Sequence, residues 1–233
     1  MTYYHYRFSF GQGLTPIIKN LIIIMAALFL FQKIVEISQF EIYINYFIYY
    51  FALVPILVWK KYFLWQLATY IFLHGGIFHL LFNLFALWMF GGELENYLGS
   101  RKFLRYFLFC GIGAGICTVL FTPYLYQRIP VIGASGAIYG ILLAYGWFFP
   151  NRLIYIYFLF PIPAKYFVII FGLIAFFSSM EGAGSGISHL THLGGLLFGF
   201  FYMAYPMIRQ KIRREYYKRK WSQRGPGSGN YFH

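Results

Sequence analysis

Apolar residues in this chain fall into six long blocks, roughly residues 16–36, 76–94, 102–121, 134–150, 163–178 and 189–207. A bilayer crossing takes about 20 mostly apolar residues, so each block is predicted to be a membrane-spanning helix. The pattern predicts an all-α membrane protein, a six-transmembrane-helix bundle over residues 1–208 followed by a basic tail over 209–233. The first block is the thinnest, with an unbroken apolar core only from Leu21 to Phe31 and with Lys19 and Lys33 where their stems can snorkel to the interfaces. The run Leu28-Phe29-Leu30-Phe31-Gln32-Lys33 offers no small-residue cleavage site, so it reads as a retained span and not as a secretory signal.

Between the blocks, residues 37–75 are too aromatic for a free loop and too polar for a span. Tyr43, Tyr46, Phe47, Tyr49, Tyr50 and Phe51, followed by Trp59 and Trp65, suit the interfacial zone of the outer leaflet. Gly91 to Glu95 and Leu98-Gly99-Ser100 predict a tight turn, and 151–165, with Pro161 and Pro163, an interfacial connection. The glycine- and serine-rich stretch 178–186 predicts a mobile loop. No internal repeat is evident, which weighs against an inverted-repeat transporter.

Composition agrees with this reading: 60% hydrophobic and 11% charged residues are outside the range of ordinary soluble domains. The formal charge of +13 suggests nucleic acid until its placement is considered. With a cytoplasmic N-terminus, fifteen of the nineteen cations fall inside, eight of them in 209–224, and only Lys33, Lys60, Lys61 and Arg128 fall outside. That bias orients the bundle in a cell (inner) membrane with both termini cytoplasmic. It makes the tail a topology anchor that contacts anionic lipid, not nucleic acid. Cys110 and Cys117 share one predicted helix seven residues apart, so their backbones are about 10 Å apart, too far for a disulfide.

In this topology the second, fourth and sixth spans run the same way, and His79, Asn83, Ser135 and His192 each lie within the first two turns of their helices. Polar groups within a bilayer are costly and by default mark function. A serine needs a base to take its proton, which a histidine on a neighbouring helix supplies. The developing oxyanion needs donors, and the Ser135 N–H, the Asn83 amide and the His79 ring are candidates. There is no aspartate, and of the six glutamates Glu93 and Glu95 lie at the far end of the second span, about 20 Å from His79. Glu215 is in the tail, and Glu36, Glu41 and Glu181 are in connecting segments. A Ser135–His192 dyad therefore fits better than a triad, with Tyr139 one turn beyond Ser135 placed to stack on the histidine. The Gly136/Gly140 and Gly195/Gly199 pairs suit close helix approach, as do Gly111, Gly113 and Gly115.

The set His74-x4-His79-x3-Asn83, Gly133-Ala134-Ser135-Gly136 with Tyr139, and His192-Leu193-Gly194-Gly195-x3-Gly199 resembles the rhomboid intramembrane serine proteases over roughly residues 60–200. The resemblance implies Ser135 as nucleophile, His192 as general base and an oxyanion hole of His79, Asn83 and the Ser135 N–H. Tyr139, Gly133 and Gly136 would support them. It also implies transmembrane proteins as substrates, small residues at the cleaved position, no metal and no cofactor. Glu95 and the following Gly99-Ser100 resemble the family's structural turn, and 37–75 its membrane-embedded first loop. Where that loop often has Trp-Arg, this chain has Trp65-Gln66.

Two other readings compete. A metal site from His189, His192 and His74 or His79 lacks His-Glu-x-x-His and any aspartate. A catalytically inactive relative that binds and escorts membrane proteins has no need to keep both serine and histidine. Taken alone, His74 and His189 read as capping or loop-side polar residues.

Overall fold

The computed structural model describes residues 14–37, 41–156, 159–180 and 189–223. Helices occupy all six apolar blocks: α1 (Pro16–Ile37), α5 (Ile77–Ala86) continuing through a π-helical turn into α6 (Gly92–Leu98), α7 (Ser100–Phe121), α8 (Ser135–Phe148), α9 (Ala164–Met180) and α10 (His189–Gln223). Three of them, Pro16–Glu36, Ile77–Leu98 and Ser100–Phe121, are long and apolar enough to cross a membrane, and Ser135–Phe148 and Ala164–Ser179 are shorter apolar helices. The chain is a multi-pass membrane protein. Large apolar side chains such as Ile24, Leu30, Phe82, Ile169 and Phe177 lie on the outside, where acyl chains replace water as solvent. α10 runs without a break past Pro206 into the basic stretch, so the helix does not end where the apolar block does.

Small residues decide how the interior packs. With lipid outside, helices gain little from burying apolar surface against one another, and close backbone approach matters more. α7, α8 and α10 pack most extensively. The α-carbon of Gly195 lies against the Gly136 carbonyl, so no β-carbon fits there, and a β-carbon on Gly140 would meet the Cys110 sulfur. Both cysteines are buried free thiols.

The turn from α6 to α7 is built on Glu95, which is 2% exposed. Its carboxylate accepts from Ser100 Oγ at 2.5 Å, from the amides of Ile17 and Ile18 at 3.0 and 3.1 Å, and from Thr15 Oγ1. One buried charge thus serves the N-terminal ends of both α1 and α7, where orphan amides and the helix dipole favour an anion. Gly99, at φ 80°, makes the turn in a region that favours glycine.

The all-α expectation requires one correction. Residues 151–165 form a hairpin of β1 (Leu153–Ile156) and β2 (Phe160–Pro163), antiparallel, with Leu153 opposite Pro163 and Tyr155 opposite Pro161. Two prolines are tolerated because a two-stranded ribbon has open edges, and residues two apart present their nitrogens to the same side. Arg152 pairs with Glu93, and Tyr145 Oη donates to Glu93 at 2.8 Å, fastening the hairpin to α6 and α8.

The aromatic segment before α5 folds into α2 (Glu41–Phe51), α3 (Pro55–Lys61), α4 (Gln66–Thr69) and a 3₁₀ turn (Tyr70–Phe72). Gln66, wholly buried, holds it together: Oε1 accepts from the Val54 amide at 3.0 Å, and Nε2 donates to the Tyr49 and Tyr50 carbonyls at 2.8 and 3.3 Å. Next to Val54, Leu53 exchanges backbone hydrogen bonds of 3.0 and 2.8 Å with Val131, four residues before Ser135. The stretch 178–186 expected to be mobile lies largely outside the described residues, as do Glu181, residues 1–13 and the end of the tail.

Candidate active site

Ser135 is the first residue of α8, His192 the fourth of α10, and His79 and Asn83 the third and seventh of α5. The same ends of three helices meet there, and their polar side chains converge. His192 Nε2 lies 2.9 Å from Ser135 Oγ. With the imidazole proton on Nδ1, Nε2 is the acceptor and the serine hydroxyl donates. The Tyr139 ring stacks on His192 with centroids 4.3 Å apart and planes 8° apart. No carboxylate among the described residues hydrogen-bonds or ion-pairs with His192.

Opposite the dyad, Gly133 adopts φ 121° and its N–H donates to the Tyr70 carbonyl at 2.9 Å. A β-carbon there would lie 2.6 Å from His79 Nε2 and 3.7 Å from Asn83 Nδ2, so the missing side chain is what lets α5 approach the serine loop. Asn83 Nδ2 donates to the His79 carbonyl at 3.0 Å and carries a second hydrogen. The Ser135 amide, at the start of α8, has no intrahelical acceptor. His79 and Asn83 thus sit beside Gly133, two residues before Ser135, and the start of α8 is where the helix dipole favours negative charge.

His74 lies in the loop before α5 and is buried, its ring edge-on to His79 with centroids 5.2 Å apart. Gln32 of α1 brackets its backbone, donating to the His74 carbonyl and accepting from its amide, both at 3.4 Å. His189 lies edge-on to His192 at 5.9 Å. Among the described residues no three His, Cys, Asp or Glu side chains group as metal ligands. Sequence reasoning missed Gln32 and the buried pair Thr118 and Thr191, for which a polar residue in an apolar block was the only signal; it singled out Gln66 without finding its partners.

The Rhomboid domain family model matches residues 61–209. The chain is similar to Rhomboid protease GluP of Bacillus subtilis, 41% identical over 138 residues, which is 59% of this chain and 25% of that protein. It is also similar to Rhomboid protein 1, mitochondrial, of Saccharomyces cerevisiae, 29% identical over 64% of this chain and 45% of the relative. The human presenilin-associated rhomboid-like protein, mitochondrial, is 32% identical over 58% of this chain and 36% of its own length. The chain thus spans less than half of each of these relatives.

Proposed function

This chain belongs to the rhomboid family, and from that premise we propose that it is an intramembrane serine endopeptidase cleaving transmembrane segments of other membrane proteins by a Ser135–His192 dyad. The observation that carries the proposal is the 2.9 Å contact of His192 Nε2 with Ser135 Oγ, with no carboxylate bonded to His192 among the described residues. Six spans, with both termini in the cytoplasm and the dyad opening to the outer face, are part of the same reading. So is contact of the basic end of α10 with anionic lipid.

In the reaction, Ser135 Oγ attacks the scissile carbonyl carbon while its proton passes to His192 Nε2. The carbonyl oxygen becomes an oxyanion that takes hydrogen bonds from the Ser135 N–H, Asn83 Nδ2 and the His79 ring. His192 then gives its proton to the leaving amine as the carbon–nitrogen bond breaks, leaving an acyl-enzyme on Oγ. A water adds to the acyl carbon, its proton goes to His192, and collapse returns that proton to Ser135. The Tyr139 stack limits movement of the imidazole during both transfers.

The test is cleavage of a single-span substrate by purified protein in detergent. Ser135→Ala and His192→Ala are each expected to lower the rate by about 10³-fold or more, and a chelator to leave it unchanged. Cleavage surviving either substitution, or lost on chelation, overturns the dyad. Wild-type protein that binds the substrate without cleaving it supports the escort reading instead.

A further inference from the structure

Among the described residues no carboxylate holds the base of the proposed dyad. Tyr139 restrains the plane of the imidazole, but a parallel stack does not set how far α10 is shifted along its axis, and a small shift separates Nε2 from Oγ. Something else must fix the height of His192 relative to Ser135.

The residue before His192 is suited to that. Thr191 and Thr118 are 2% and 1% exposed, and their hydroxyls lie 2.7 Å apart between α10 and α7. Thr118 Oγ1 also lies 3.0 Å from the Ala114 carbonyl; when it donates there, Thr191 is the donor within the pair. The contacts run from Thr191 through Thr118 to the α7 backbone. The Thr191 methyl faces the other way, and a β-carbon added to Gly136 would lie 2.9 Å from it. Ala114 meets both neighbouring helices at the same level, since β-carbons on Gly136 and Gly194 would lie 2.7 Å from its β-carbon and 2.9 Å from its α-carbon. Thr191 thus touches α7 through its hydroxyl and α8 through its methyl, one residue from the base and beside the residue following the nucleophile.

We propose that Thr191 is a positioning residue for His192, and that the Thr191–Thr118–Ala114 relay takes the orienting role that a carboxylate has in a triad. This rests on the proposed dyad. It assigns α7, which supplies no group to the reaction, the task of setting the height of the base.

Valine has the shape of threonine without the hydroxyl. Thr191→Val keeps the methyl that faces Gly136, and Thr118 keeps its acceptor at Ala114. The readout is the rate at which a fluorophosphonate phosphonylates Ser135, in which the Oγ–P bond forms, the P–F bond breaks with loss of fluoride and His192 takes the hydroxyl proton. That rate reports nucleophile activation without a bound polypeptide. Thr191→Val is expected to slow labelling and to lower kcat by about ten- to a hundredfold, with KM and melting temperature unchanged, and Thr191→Ser to recover most of the rate. Labelling of Thr191→Val at the wild-type rate overturns the relay. So does a loss that Thr191→Ser fails to restore, which assigns the position to packing. Wild-type protein that does not label overturns the dyad itself, and the relay with it.

Discussion

The rings of Tyr139 and His192 are stacked nearly parallel, 4.3 Å between centroids and 8° between planes. In the proposed dyad, whose histidine bonds to no carboxylate among the described residues, this contact restrains the imidazole by shape. The ring and not the hydroxyl is what matters, so Tyr139→Phe should keep cleavage close to wild type. Tyr139→Ala should lower it by about two- to tenfold, the range expected from an aromatic pair. The two variants compared by initial rate at matched folded concentration check this; a Phe variant as impaired as the Ala variant would assign the role to the hydroxyl.

Gly133 combines a left-handed φ of 121° with a β-carbon position 2.6 Å from His79 Nε2. Gly133→Ala strains the backbone by about 1–3 kcal/mol and pushes His79 away from the serine loop. Cleavage is expected to fall more steeply than thermal stability, because the displaced group borders the oxyanion space. Parallel melting and activity measurements decide; full activity would show that the loop relaxes without moving the donors.

Asn83→Ala removes the proposed oxyanion donor and its 3.0 Å bond to the His79 carbonyl. A carbonyl inside a helix retains its main-chain donor, so the fold should survive while the rate drops by about 10²–10³-fold. An Asn83→Ala protein that elutes as aggregate, or melts well below wild type, makes the residue structural.

Gln66 stands where related loops often have arginine, and here it both accepts and donates. Arginine has no acceptor, so Gln66→Arg leaves the Val54 amide without its partner at a cost of about 1–3 kcal/mol. The prediction is a lower melting temperature, with cleavage impaired through the Leu53–Val131 bridge that leads to Ser135. An arginine variant more stable than wild type refutes the two-way clamp.

The apolar helices, the polar residues at their ends and the absence of aspartate were legible in the chain itself. Bilayer thickness imposes a one-dimensional length rule, and a polar residue in an apolar block is conspicuous without coordinates. Family membership was legible for the same reason, because the motifs are local. The pairing of β1 with β2 was not: 151–165, with Pro161 and Pro163, reads as an interfacial connection until pairing shows a ribbon with open edges to take the prolines. Nor was the partnering of side chains distant in sequence. Ser135 and His192 are 57 residues apart and Thr118 and Thr191 are 73 apart, and nothing local distinguishes a threonine facing lipid from one facing another hydroxyl. Gln66 looked like a lost charge and is a two-way clamp. Hydropathy determined which segments form apolar helices; rotation and axial offset of the helices, set by where glycine lets backbones touch, decided which polar groups meet.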